Sequence, residues 1–108
     1  MPVTEINSFQ EFQDIINSDK PAIIDFWAVW CGPCRMISPI FEKFSDESGS
    51  SNVGFYKVDV DGQEQIAQEV GIRAMPTFAV FRHGEKVDVL TGANPSALES
   101  LVRTAASL

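Results

Sequence analysis

Cys31 and Cys34 are the only cysteines of the 108-residue chain, and only Gly32 and Pro33 lie between them. Residues 22–28, AIIDFWA, run up to the pair as a short apolar segment of strand character with one carboxylate, Asp25, inside it. Beyond the pair, Met36, Ile37, Ile40, Phe41 and Phe44 recur at the spacing of an amphipathic helix. A strand must therefore turn tightly into a helix here, with the cysteines at the turn and in the first helical turn.

That placement has chemical consequences. The thiolate is the nucleophile, and a free cysteine titrates near ~8.5, so little is ionised at neutral pH. The first turn of a helix offers amides without intrahelical partners and the positive end of the macrodipole, both of which stabilise an anion. Cys31, nearest the helix end, is expected to be exposed and activated, and Cys34, on the same face at i+3, more buried. As a structural staple the pair closes too short a loop to restrict the unfolded chain much. As a zinc site it is half a site, because the chain has no third cysteine and a single histidine, His83. No metal is expected. A reversible redox dithiol needs only these two residues, and this reading is favoured over two incidental cysteines.

A chain of this length makes one domain, residues 1–108, with a core that needs no staple. The formal charge of −7, with eight scattered basic residues, argues against nucleic-acid binding. No apolar run is long enough to span a bilayer, so no membrane contact is expected. The first residues show no basic or apolar leader, and with one close cysteine pair this points to a reducing, cytoplasmic setting.

In chain order, residues 3–6 read as an edge strand, and Ser8 to Glu11 as a capping box opening a helix whose stripe is Phe9, Phe12, Ile15 and Ile16. Pro39 is expected to kink the cysteine-bearing helix rather than end it, since the stripe continues beyond it. Residues 45–52 read as a polar loop and 53–60 as a strand; a helix from about residue 61 stops at Gly71. Strands at 77–82 and 85–91, the second alternating around Val87 and Val89, form a hairpin about His83-Gly84. Asn94-Pro95 then caps a last helix with Leu98, Leu101, Val102 and Ala105 inward. The order β-α-β-α-β-α-β-β-α predicts one mixed α/β sheet with helices on both faces.

Trp30-Cys31-Gly32-Pro33-Cys34 behind a strand carrying Asp25, with Met75-Pro76-Thr77 before a hairpin, resembles the thioredoxin family. The likeness covers essentially the whole chain, including Phe26-Trp27-Ala28, Asp59, Gly84 and Gly92, and looks most like cytosolic eukaryotic members. Val29 departs from it, standing where many members have a polar residue or proline. The resemblance implies the thioredoxin fold: a five-stranded sheet ordered 1-3-2-4-5, four flanking helices, and the dithiol at the carboxyl end of the second strand. It implies a general protein disulfide reductase with no bound cofactor, recycled by an NADPH-dependent thioredoxin reductase. Its targets would be disulfide enzymes of the peroxiredoxin, methionine sulfoxide reductase and ribonucleotide reductase types.

By the same resemblance, Cys31 attacks a target disulfide and Cys34 resolves the mixed disulfide. Asp25, readable from sequence as either a water-facing strand residue or a buried carboxylate, becomes the buried acceptor of the Cys34 proton. Lys57 is either its counter-ion or an exposed strand lysine. Pro76 is expected to be cis, leaving the Met75 backbone free to pair with an extended peptide. Trp30, Gly32, Pro33, Ala74, Met75, Gly92 and Ala93 form a flat apolar rim for partners, through which a monomer could pair weakly with a second copy. Two other functions compete: an oxidant or isomerase, whose relatives usually carry histidine at the position of Pro33, and a docking subunit that needs no redox chemistry.

Overall fold

The computed structural model describes residues 3–47 and 52–108. Its elements follow the predicted order: β1 (Val3–Glu5), α1 (Phe9–Ile16), β2 (Ala22–Trp27), α2 (Gly32–Glu47), β3 (Gly54–Asp59), α3 (Glu64–Val70), β4 (Thr77–Arg82), β5 (Glu85–Thr91) and α4 (Pro95–Ala106). The sheet order is β1-β3-β2-β4-β5. β1 and β2 flank β3 in parallel, β2 and β4 are antiparallel, and β4 and β5 form the hairpin.

β2 is central and covered on both faces, which is why it reads as a nearly unbroken apolar run. Alternate residues of a strand face opposite ways. Ile23 joins Phe55, Phe78 and Val80 beneath α2 (Ile37, Phe41) and α4 (Leu98, Leu101, Val102, Ala105). Ile24 and Phe26 turn the other way, joining Val58, Ala79 and Phe81 beneath Phe12 of α1 and Ile66 of α3. Asp25 has the parity of Ile23 and so faces the α2 side. Phe41 ties that layer together, its ring 5.6 Å from Phe55 and 5.3 Å from Phe78.

The helix ends follow the sequence. Ser8 Oγ accepts from the Glu11 amide at 3.1 Å while Glu11 Oε1 accepts from the Asn7 amide at 2.8 Å, so the capping box closes. Asn94 Oδ1 accepts from the Ala97 amide at 3.1 Å ahead of α4. Gly71 ends α3 at φ +82°, in the left-handed region that glycine enters without penalty.

Three expectations need correction. The stretch read as a loop from residue 45 begins as helix: α2 runs to Glu47, and Ser45 is buried with its hydroxyl donating to the Glu42 carbonyl at 2.6 Å. Serine satisfying itself on the preceding turn made a helical segment look polar; residues 48–51 of that stretch lie outside the described residues. Met36 is 74% exposed and outside the inward stripe. At about 100° per residue it falls at the stripe's outer edge, while Ile37 and Phe41 lie near its centre. The alternation around Val87 and Val89 is interrupted by a register shift opposite Val80 and Phe81 that leaves Val87 out of the pairing, and both valines stay exposed because β5 is an edge strand that the α1–α3 layer does not reach.

Candidate active site

The dithiol sits where β2 ends and α2 begins. Cys31 is the residue before the first helical position, and its carbonyl accepts the Arg35 amide, the first bond of the helix, at 3.3 Å. Its Sγ accepts the Cys34 amide at 3.1 Å. A residue in that position whose side chain bonds the amide three residues on is an N-cap, with sulfur in the place where serine or aspartate oxygen usually sits. The group that would carry negative charge on reduction therefore already rests on an orphan amide at the positive end of a sixteen-residue helix.

Cys31 and Cys34 are joined in a disulfide. The expected exposure of Cys31 is not observed: it is 4% exposed, and Cys34 only slightly less so. Ala28 and the two cysteines form a small buried cluster against which Trp27, Val60 and Met75 pack. The Cys31 side chain lies in that cluster with Met75 packed against it, and the neighbouring indole is the open surface. Trp30 is 66% exposed, and its Nε1 donates to Asp61 Oδ2 at 2.9 Å. Asp61 is a site residue that sequence reasoning missed; it reads as an ordinary helix-approach aspartate, and only the fold brings it to Trp30.

Below the dithiol, Asp25 is 3% exposed and its Oδ1 has no hydrogen-bond partner. Burial raises its pKa from 3.8 to about 7, and Lys57 partly opposes the rise. Lys57 stands in register with Asp25 on the adjacent parallel strand, so both side chains project to the same side. The lysine lies over the Trp27 ring, 5.9 Å from its centroid, and makes no ion pair with Asp25 within 4 Å. Asp25, Trp27, Cys34, Ser38 and Lys57 together line a cavity of about 80 Å³. Trp27 is only half-buried, and its Nε1 is a second buried polar atom without a partner.

The Met75–Pro76 peptide is cis. Met75 is half-buried, Ala74 exposed, and the Thr77 hydroxyl pins the loop by donating to the Ala74 carbonyl at 2.6 Å. The Met75 backbone makes no hydrogen bond among the described residues. Gly92 lies beside it, at φ +110°, donating its amide to the Pro76 carbonyl at 2.9 Å. Pro33 is exposed; Gly32, Gly92 and Ala93 are half-buried. Arg35 reaches back to the Val29 carbonyl, tying the loop before the dithiol to the helix after it. His83 is remote from all of this, bonded through Nε2 to Asp19 Oδ1 at 2.7 Å.

No group of three or more histidine, cysteine or acidic side chains able to hold a metal occurs among the described residues. The bonded cysteine pair stands between a helix dipole, a buried acid and an unpaired loop, an arrangement suited to making and breaking sulfur–sulfur bonds. Comparison with known proteins agrees. The thioredoxin family model matches residues 3–104. The chain is 57% identical over 100 residues to the thioredoxin of Malassezia sympodialis, covering 93% of this chain and 95% of that protein. It is 59% identical over 101 residues to the thioredoxin of Coprinus comatus, covering 94% and 95%. A crystal structure of the Malassezia sympodialis thioredoxin superposes with a TM-score of 0.93 at 55% identity, over 98% of this chain and 95% of that one. In sequence, fold and the architecture around its dithiol, the chain belongs to the thioredoxin family.

Proposed function

We propose that the protein is a general protein disulfide reductase that works through Cys31 and Cys34 as a single domain. The observation that carries this reading is the Cys34 amide on Cys31 Sγ at the start of α2, which offers a Cys31 thiolate a hydrogen bond and the helix dipole. In the reduced protein, Cys31 Sγ attacks one sulfur of a target disulfide. An S–S bond forms between Cys31 and the target, the target's own S–S bond breaks, and its other sulfur leaves as a thiolate. Cys34 then gives its proton to Asp25, and its thiolate attacks Cys31 Sγ. The Cys31–target bond breaks, the second target thiolate departs, and the protein is left as the Cys31–Cys34 disulfide. Two electrons pass to the target, which takes its protons from solvent.

Asp25 suits its role because a carboxyl titrating near 7 is ionised often enough to accept a proton and protonated often enough to return one. Lys57 acts on that carboxyl across the cavity as its electrostatic partner. The exposed indole of Trp30, with Gly32, Pro33, Ala74, Met75, Gly92 and Ala93, forms the surface on which a target lies, and the unpaired Met75 backbone offers it strand-like hydrogen bonds. The targets are disulfide forms of enzymes such as peroxiredoxins, methionine sulfoxide reductases and ribonucleotide reductases. A flavoprotein thioredoxin reductase drawing on NADPH restores the dithiol. The protein works in the cytoplasm as a monomer; no helix among the described residues is long and apolar enough to cross a membrane.

Reduction of insulin disulfides by the chemically reduced protein tests the reading. Cys31→Ser abolishes turnover, and Cys34→Ser accumulates a covalent Cys31–target adduct. Normal turnover by Cys34→Ser removes Cys34 from the reaction, and activity in the double serine variant removes the dithiol altogether.

A further inference from the structure

Two polar side chains of the cavity beneath the dithiol, Trp27 and Ser38, have no part in the mechanism above, and of these only Ser38 can both donate and accept. Ser38 lies four residues beyond Cys34 and therefore on the same face of α2. It is half-buried, lines the cavity, and its hydroxyl makes no hydrogen bond among the described residues. The hydroxyls of Ser45 and Thr104, by contrast, bond back to carbonyls of their own helices, at Glu42 and Ser100. Two other polar atoms of the lining, Asp25 Oδ1 and Trp27 Nε1, are buried and unpartnered. Buried polar atoms are normally satisfied by protein or by water. A space of about 80 Å³ with several polar walls is large enough to admit water.

The donor and acceptor inventory of this lining is uneven. Trp27 Nε1 and the Lys57 ammonium can only donate; the ionised Asp25 carboxylate can only accept; a hydroxyl does both. A proton passing from the Cys34 thiol to Asp25 without direct contact needs a link that accepts on one side and donates on the other. Phe78, which faces Asp25 from β4, offers nothing polar, so the charged or titratable groups around Asp25 are Lys57 from β3 and Cys34 from α2.

We propose that Ser38 is a positioning residue for the resolving step: its hydroxyl, together with water admitted to the cavity, hydrogen-bonds the Asp25 carboxylate and aligns it with the Cys34 thiol. This rests on the reading that Asp25 accepts the Cys34 proton. The Cys34 S–H bond breaks, the proton moves along the hydroxyl–water link to Asp25, and the electron pair stays on Cys34 Sγ for the attack on Cys31. A donor to the ionised carboxylate also holds the Asp25 pKa lower than it would be without that donor.

The test compares the reduced wild-type protein with Ser38→Ala and Ser38→Thr. Alanine favours a helix interior, so folding is preserved. Three quantities are measured: the Asp25 carboxyl titration by NMR, the pH profile of thiol release from a preformed Cys31 mixed disulfide with 2-nitro-5-thiobenzoate, and the rate of Cys31 alkylation by iodoacetamide. Ser38→Ala should move the Asp25 titration to higher pH and slow release severalfold near neutrality, with the limb of the profile displaced in the same direction. Ser38→Thr, which keeps the hydroxyl, should restore both, and alkylation of Cys31 should not change. An unmoved titration and release profile in Ser38→Ala overturns the proposal, as does a threonine variant that behaves like alanine. Asp25→Asn, run beside them, separates the two readings. If it slows release while Ser38→Ala does not, only the Ser38 proposal falls; if it leaves release unchanged, the Asp25 role falls and takes the Ser38 proposal with it.

Discussion

Trp30 Nε1 is hydrogen-bonded to Asp61 Oδ2 at 2.9 Å, which joins the residue before Cys31 to the approach to α3, 31 positions away. An indole that is 66% exposed would otherwise sample several rotamers. The bond holds its flat face as a ready surface and spares a docking target part of the cost of ordering it. Asp61→Ala should therefore change stability by no more than about 0.5 kcal/mol, as for ordinary surface substitutions. It should lower kcat/KM for protein disulfides several-fold while leaving reduction of a small aromatic disulfide unaffected. Equal losses on both substrates would show that Asp61 acts on the dithiol and not on docking.

The raised pKa of Asp25 sets a sign for stability. The native carboxyl holds its proton up to about 7, whereas in the unfolded chain it loses it near 3.8. Between those values the folded state binds more protons than the unfolded state, so this group's contribution to stability falls as pH rises through the window. The full penalty, on the order of 4 kcal/mol at 1.36 kcal/mol per pH unit, is present above pH 7 and absent below about pH 4. Asp25→Ala should remove that slope. Urea unfolding of both proteins from pH 4 to pH 8 should show the variant gaining on the wild type throughout, and being the more stable at pH 8. A constant difference across the range would mean that Asp25 is ionised in the native state at all these pH values.

Two glycines beside the site should respond in opposite ways. Gly92 has φ +110°, where L side chains are strained, although a Cβ there would meet nothing within 4 Å. Gly92→Ala should cost about 1–3 kcal/mol from backbone strain alone, read as a shift in the urea midpoint. Gly32, the first residue of α2, has ordinary φ and an equally open Cβ position. Gly32→Ala should be neutral or slightly stabilising. Equal costs at both positions would contradict the backbone explanation.

Much of this architecture could be read from the sequence because local signals agreed with the global fold. The capping box at Ser8, Asn94-Pro95 and Gly71 marked real helix ends, and the run around Asp25 marked the central strand. The parity of Asp25 with Ile23 was also present in the sequence, and it alone directs that carboxyl toward α2. The extent of α2 beyond Phe44 was hidden, because a buried serine bonded to its own helix looks the same in sequence as a loop serine. Asp61 and Ser38 were hidden for a different reason: each matters through a neighbour distant in sequence or across a cavity. The covering of Cys31 was hidden because it comes from residues distant in sequence: Val60 and Met75 pack against the cluster that holds it.

The central claim is that the helix start stabilises negative charge on the Cys31 sulfur, and the pH dependence of Cys31 alkylation by iodoacetamide in the fully reduced protein tests it most directly. The account predicts that Cys31 reacts first, with Cys34 protected, and that its rate follows an ionisation well below the ~8.5 of a free cysteine. A thiol that titrates at or above that value, or one that alkylates no faster than Cys34, would contradict it.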